Sequence, residues 1–158
     1  MIVAIIPLKD GHEFTKEVLE GLVKQTVSIS VVCISRPSGY MTMCRNLATE
    51  EALKQYREHD FFLLLNRDVI LEKEDSVEQM IKFLKINEEY GAVALDTRGH
   101  KKEVLVGEKN HFDIACMVVR RYVLEKVKFD NNIGCNCISF CQNIKKLPEY
   151  NKVKYYVE

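Results

Sequence analysis

The sequence predicts an α/β fold: a mostly parallel sheet flanked by helices, with a short mixed C-terminal part. Three observations carry this. Ile2 to Leu8 is a continuous apolar run that takes in Pro7, with no polar position for a solvated face, as in a strand covered on both sides. Short apolar runs then alternate with longer segments of helical periodicity as far as residue 95. The resulting order, β-α-β-α-β-α-β, is that of a parallel sheet with helices on both faces.

Each element follows from local chemistry. Lys9-Asp10-Gly11-His12 reads as a turn, and Thr15 as the cap of a helix running to about Lys24, with Val18, Leu19, Leu22 and Val23 at helical spacing. Ser28 to Ser35 reads as the second strand, and Arg36-Pro37-Ser38-Gly39 breaks the chain after it. Residues 41 to 58 read as a second helix, with Cys44, Leu47, Ala48, Ala52 and Leu53 on one face. Asp60 to Leu65 is the third strand and ends abruptly in Asn66-Arg67-Asp68. A third helix spans about Ser76 to Glu89 with Ser76 as its cap, and Gly91 to Leu95 is the fourth strand. Beyond it, residues 97 to 110 read as a basic, polar loop or hairpin and Phe112 to Val119 as a strand. Arg121 to Val127 and residues 136 to 147 read as helices, and Val153 to Val157 as a small edge strand. No repeat and no linker marks a second domain, so residues 1–158 are expected to form one.

Composition narrows the class. A chain of 158 residues is long enough for one core, burying roughly 69% of its extended surface. Hydrophobic residues at 47% and charged residues at 29% are those of an ordinary globular domain. With 7 Gly and 3 Pro, collagen-like and low-complexity classes are excluded. No apolar run approaches the roughly 18 residues of a spanning helix. The opening run has no basic segment before it and no small-residue cleavage site after it, so it is read as a strand and not a signal peptide. A cytoplasmic location is expected. Zero formal net charge argues against a dedicated nucleic-acid binder. Cys33, Cys44 and Cys116 lie in apolar stretches and are expected as buried thiols. Cys135, Cys137 and Cys141 lie closer together in a spacing that fits no common zinc pattern; plain thiols are favoured, with a disulfide or a metal left open.

In open α/β sheets, ligands bind outside the carboxyl ends of the strands. That rule selects Pro7-Leu8-Lys9-Asp10, Ser35-Arg36-Pro37-Ser38, Asn66-Arg67-Asp68 and Asp96-Thr97-Arg98. Neither a G-x-G-x-x-G fingerprint nor a P-loop is present. The third segment is the most informative, because a buried strand delivers Asp68 to its mouth. A carboxylate there can hold a hard divalent cation that bridges phosphate oxygens, or it can cap a turn.

Four stretches in order resemble the GT-A-fold glycosyltransferases, especially the family 2 type and its small viral or archaeal relatives. They are the opening strand with Pro7 (VAIIPLKDG), the helix start Met43-Cys44-Arg45-Asn46-Leu47-Ala48, the strand FFLLLNRDVIL, and ACMVVRR at Ala115 to Arg121. The resemblance implies a nucleotide-sugar donor, Mn2+ or Mg2+, and transfer of the sugar to an acceptor hydroxyl. It implies a nucleotide-binding half over residues 1–96 and an acceptor-side half over 97–158. It places Pro7 at the nucleotide pocket, Ser35 near the nucleobase and Arg45 at the base or phosphates, the alternative for Arg45 being a solvated helix position. Asn66 falls where the first acid of the D-x-D motif faces the ribose, and Asp68 on the last acid, the metal ligand. An amide can still hydrogen-bond a hydroxyl.

The base that takes the acceptor's proton has no direct counterpart. Asn136-Cys137 stands where the resemblance expects an acidic pair, and two nearby acids, Asp113 and Asp130, are the candidates, each with a structural role as its alternative. His111 is a candidate metal ligand or a surface residue. Residues 98–130 hold eight Lys or Arg against five Asp or Glu, Lys101-Lys102 and Arg120-Arg121 among them; this excess would steer a diphosphate toward the site or simply face solvent. Two other readings stand beside the transferase. One is a catalytically degenerate domain that binds a nucleotide or a partner, motivated by Asn66 and Asn136-Cys137. The other is a nucleotidyltransferase of the same architecture. A chain this small leaves room for a homo-oligomer that completes its acceptor site.

Overall fold

The structure, a computed structural model, describes residues 1–9, 13–36, 41–95, 115–130 and 136–156. The strands are β1 (Ile2–Lys9), β2 (Ile29–Arg36), β3 (Phe61–Leu65), β4 (Tyr90–Leu95), β5 (Cys116–Arg120) and β6 (Lys152–Tyr156). The helices are α1 (Lys16–Val23), α2 (Met41–Gln55), α3 (Ser76–Ile86), α4 (Arg121–Lys126) and α5 (Asn136–Ile144). They make one six-stranded sheet in the order β2-β1-β3-β5-β4-β6. The α/β fold read from the sequence is the fold observed. The β1–β2, β1–β3 and β4–β6 pairs are parallel, and β5 is inserted antiparallel to both β3 and β4.

The alternation of side chains along each strand builds two cores. Val3 and Ile5 of β1, Phe62 and Leu64 of β3, and Met117 and Val119 of β5 face α2, α4 and α5, meeting Ala48, Ala52, Val123, Leu124, Phe140 and Ile144. Ile2, Ala4 and Ile6, Leu63 and Leu65, and Cys116 and Val118 face α1 and α3, meeting Val18, Leu22, Val77, Met80 and Leu84. Both faces are covered, which is why these strands read as continuous apolar runs and not as alternating ones.

Local chemistry sets the helix ends. Thr15 caps α1 by accepting from the Val18 N–H at 3.4 Å. The expected cap of α3, Ser76, is instead its first residue; Asp75 precedes it, and the Ser76 hydroxyl donates to Lys73 O at 3.0 Å. Of the thiols expected to be buried, Cys44 and Cys116 are, while Cys33 is exposed. Cys33 lies beside Ile6 in the β1–β2 register, but β2 is an edge strand and the α1 side of it is only partly covered.

Arg120 and Arg121 close the far end of β5 and tie down one helix on each side of the sheet. Arg120 donates from Nε to Tyr90 O at 2.8 Å and from Nη2 to Leu84 O in the last turn of α3. Arg121 donates from Nε to His59 O at 2.8 Å, and its other nitrogens reach Tyr56 O and Leu53 O at the end of α2. The last carbonyls of a helix lack intrahelical partners, and a guanidinium satisfies several at once while complementing the negative end of the dipole.

The β4–β6 pairing skips Gly91, because Tyr90 faces Lys152 and Ala92 faces Val153. A Cβ on Gly91 would lie 2.2 Å from Tyr150 O and 2.8 Å from Val123 Cγ2. Backbone sits on backbone there, and Tyr150 takes φ 54, a left-handed conformation. Gly91→Ala is therefore expected to cost about 2 kcal/mol or more, seen as a fall in Tm of roughly 4–8 °C by differential scanning calorimetry.

Two surface carboxylates, one exposed and one half-buried, are held below the usual Glu value. Glu17 is lowered by a hydrogen bond from its own backbone N–H and then from Thr15; Glu78 by hydrogen bonds from Lys82 and then from Thr26, with the Lys82 charge adding to these. A depressed folded pKa contributes stability above the unfolded value, about 4.3 for Glu. That contribution disappears as pH falls through the folded value. The pair Glu17→Gln and Glu78→Gln is expected to flatten the acid limb of the Tm profile between pH 5 and 3, relative to the unaltered protein, as read by far-UV circular dichroism.

Candidate functional site

β1, β2 and β3 are parallel, so their carboxyl ends share one rim of the sheet; the beginning of the antiparallel β5 reaches the same rim. Asn66 leaves β3 under restraint. Its N–H donates to Ala115 O at 2.7 Å and its carbonyl accepts from Val69 N–H at 3.3 Å. These bonds form the turn that carries Arg67 and Asp68.

Arg45 lies in the second turn of α2 and is only 5% exposed. Its Nη2 donates to Asn66 Oδ1. Its guanidinium carbon lies 5.6 Å from the centre of the Phe129 ring, within cation–π reach. A guanidinium this buried requires partners, and the Asn66 carbonyl and the ring face are two of them. The Phe129 ring in turn stacks on Phe140 of α5, with centroids 4.3 Å apart and planes at 11°. Asn46, the next residue on α2, bonds twice to the Phe129 backbone: Nδ2 donates to its carbonyl at 2.9 Å and Oδ1 accepts from its N–H at 3.0 Å. Asp130, half-buried, follows Phe129 directly.

The residues singled out in the sequence are thus distributed as follows. Arg45 and Asn66 are in contact, and Asp130 is carried by the residue on which Arg45 rests. Pro7 is buried in β1 beside Ile34 of β2, and Ser35 is exposed at the end of β2 beside Leu8. Asp68 is exposed and makes no hydrogen bond or ion pair among the described residues. Asp113, His111, the Lys101-Lys102 pair and Cys135 lie outside the described residues. Cys137 is half-buried and Cys141 buried on α5. The solvated alternative for Arg45 does not hold, because the side chain is buried. The steering role raised for Arg120-Arg121 is corrected: Arg120 pairs with Phe61 at the start of β3, the pole opposite the rim, and the two side chains donate to backbone carbonyls of Tyr90, His59 and the ends of α3 and α2, Arg121 also pairing with Glu125. Two clefts among the described residues, of about 520 and 420 Å³, also lie at that pole and share Asp60, Phe61 and Lys85.

The contributions of Asn46, Phe129 and Phe140 escape sequence reasoning. The only signal was the Arg45-Asn46 pair at the start of a helix; their partner lies 83 residues from Asn46. Among the described residues no three His, Cys, Asp or Glu side chains converge as a ready-made metal site. Asp68 offers one exposed carboxylate at the rim, a hard oxygen ligand of the kind that suits Mg2+ or Mn2+.

No family model matches the chain, and no curated protein matches it. Among solved structures it is similar over 100% of its length to A197 from STIV, of which it covers 82%, at a TM-score of 0.66 and 20% identity. It is similar over 99% of its length to a cytidylyltransferase from Leptospira borgpetersenii serovar Hardjo-bovis, of which it covers 75%, at 0.59 and 12%. A glycosyltransferase involved in glycosylation of the major capsid of PBCV-1 aligns over 100% of this chain and 81% of its own, at 0.49 and 13%. At these identities, what A197 and the cytidylyltransferase share with this chain is the fold.

The Arg45–Asn66 contact makes a two-sided prediction. Arg45→Lys keeps the charge but loses the planar group that both lies on Phe129 and reaches Asn66; a loss of about 1–2 kcal/mol is expected. Asn66→Asp gives an ionised acceptor to a hydrogen bond whose donor is already charged, making an ion pair, and is expected to gain about 1 kcal/mol. Thermal unfolding at pH 7 should show Tm shifts of opposite sign for the two variants.

Proposed function

We propose that the chain is a glycosyltransferase that moves a sugar from a nucleotide-sugar donor to an acceptor hydroxyl with a divalent cation. The observation that carries this reading is the rim cluster, where β3 delivers Asn66 to a buried Arg45 and leaves the Asp68 carboxylate exposed two residues on. The four-stretch resemblance to family 2 GT-A enzymes supplies the reaction class.

In this reading Pro7 and Ser35 border the nucleotide, and Asn66 is within reach of the ribose hydroxyls. Arg45 holds the diphosphate, its guanidinium donating to phosphate oxygens from a fixed position. Asp68, with phosphate oxygens and water, would hold Mn2+ or Mg2+, whose charge offsets that on the leaving diphosphate. The acceptor oxygen forms a bond to the anomeric carbon as the bond from that carbon to the phosphate oxygen breaks. The electron pair of the broken bond stays on the nucleoside diphosphate. The acceptor's proton goes to a carboxylate oxygen, which we assign to Asp130 with Asp113 as the second candidate. Binding orients donor and acceptor and so removes the entropy cost of their meeting from the chemical step.

The shared fold of the cytidylyltransferase supports one other reading, transfer of a nucleotidyl group from a nucleoside triphosphate with release of pyrophosphate. One experiment separates the two. Thermal unfolding is followed with UDP, GDP, CDP and their sugar conjugates, with and without Mn2+, and pyrophosphate release from CTP is assayed in parallel. A ligand at 100 times its Kd adds about 2.7 kcal/mol. A Mn2+-dependent rise in Tm with a nucleotide sugar, lost in Asp68→Ala, is expected. Pyrophosphate release with no response to any nucleotide sugar would favour nucleotidyl transfer instead.

A further inference from the structure

Asn46 stands next to Arg45 on α2 but serves a different partner. Its amide pairs with both backbone groups of Phe129, donating to the carbonyl at 2.9 Å and accepting from the N–H at 3.0 Å. A primary amide used this way reproduces one rung of a β ladder for a peptide that has no strand beside it. Residues 127–130 belong to no helix or strand, so the clasp fixes a segment that regular structure does not.

The same residue whose backbone is clasped presents its ring to the guanidinium of Arg45. Phe129 is 4% exposed and its ring meets both Arg45, at 5.6 Å, and the Phe140 ring, at 4.3 Å. Two of the groups that contact Arg45 come from distant parts of the chain: the Asn66 amide at the end of β3, and a ring whose backbone Asn46 holds. The two neighbours on α2 are complementary, one reaching the ring and the other the backbone of the same residue.

We infer that Asn46 is a positioning residue for the phosphate-binding guanidinium: by clasping Phe129 it sets the platform on which Arg45 rests. The inference depends on the nucleotide-dependent transfer proposed above, in which Arg45 touches the diphosphate. Asn46 itself touches no substrate; its effect runs through Phe129 and Arg45.

The test is a double-mutant cycle on the full chain, read as the Kd of UDP, GDP and CDP with Mn2+ by titration calorimetry. Asn46→Ala is expected to weaken the diphosphate that binds the unaltered protein by about tenfold. In an Arg45→Ala background the same change is expected to cost nothing further, because the group it positions is gone; a purely structural role would not cancel in this way. If Arg45→Ala binds too weakly to titrate, Arg45→Lys takes its place in the cycle. If Asn46→Ala does not fold, Phe129→Leu, which fills the core without a ring face, is read against Arg45 in the same cycle with the same expectation. Equal Kd for Asn46→Ala and the unaltered protein, or losses that add in the double variant, would overturn the positioning role and leave the transferase reading intact. Failure of the unaltered protein to bind any of the three diphosphates would overturn that reading and the positioning role with it.

Discussion

The placement of β5 between β3 and β4 is the constraint on which the rest of the structure depends. Four of its five residues are buried, and successive ones serve opposite cores: Met117 and Val119 toward α2, α4 and α5, Cys116 and Val118 toward α3. It joins the half of the sheet built from β2, β1 and β3 to the half built from β4 and β6. Running antiparallel, it brings its two ends to opposite poles. At one, the Ala115 carbonyl receives the Asn66 N–H and fixes the exit of β3. At the other, Arg120 and Arg121 hold the ends of α3 and α2. Since α2 also carries Arg45, both partners of the Arg45–Asn66 contact are tied to the same strand, one through the end of α2 and one at its own exit.

Much of the fold was legible because both faces of the sheet are covered. Ile2 to Leu8 and Phe61 to Leu65 have no polar position, and that pattern fits a doubly covered strand directly. Thr15 was legible as a cap because its role is local, a bond to an N–H three residues on. Ser76 misled for the opposite reason. A serine before an apolar helix reads as a cap, but here the hydroxyl finds Lys73 O, and the helix begins at the serine itself. Cys33 misled because hydrophobic context says nothing about which strand ends a sheet. The order of strands is a property of pairing across the chain, and β2 at the edge leaves one of its faces partly bare.

The rim was legible only in part, and the division is physical. A strand end that turns polar shows where ligands can approach, so Asn66 and Asp68 stood out. A pairing between residue 46 and residue 129 has no sequence signature, because the amide recognises a peptide group and not a side chain. Arg120-Arg121 shows the converse error. Adjacent positive charges invite an electrostatic reading, yet here the two side chains serve opposite faces, and each guanidinium bonds carbonyls at a nearby helix end, Leu84 of α3 and Leu53 of α2.

The identity of residue 66 bears on what Arg45 can do. A carboxylate at this position would orient the guanidinium and cancel part of its charge at the same time. An amide orients it and cancels none, since its carbonyl oxygen is a dipole and not an ion. The Phe129 face acts in the same way, attracting the cation through a quadrupole that carries no net charge. Both contacts therefore fix the direction of Arg45 without contributing a counter-charge. Two residues beyond Asn66, the Asp68 carboxylate stands exposed to solvent. The rim thus holds a buried guanidinium that two neutral groups help to orient and, two residues beyond Asn66, an exposed carboxylate. In the transfer proposed above, a diphosphate with its divalent cation would turn its oxygens toward Arg45 and its cation toward Asp68.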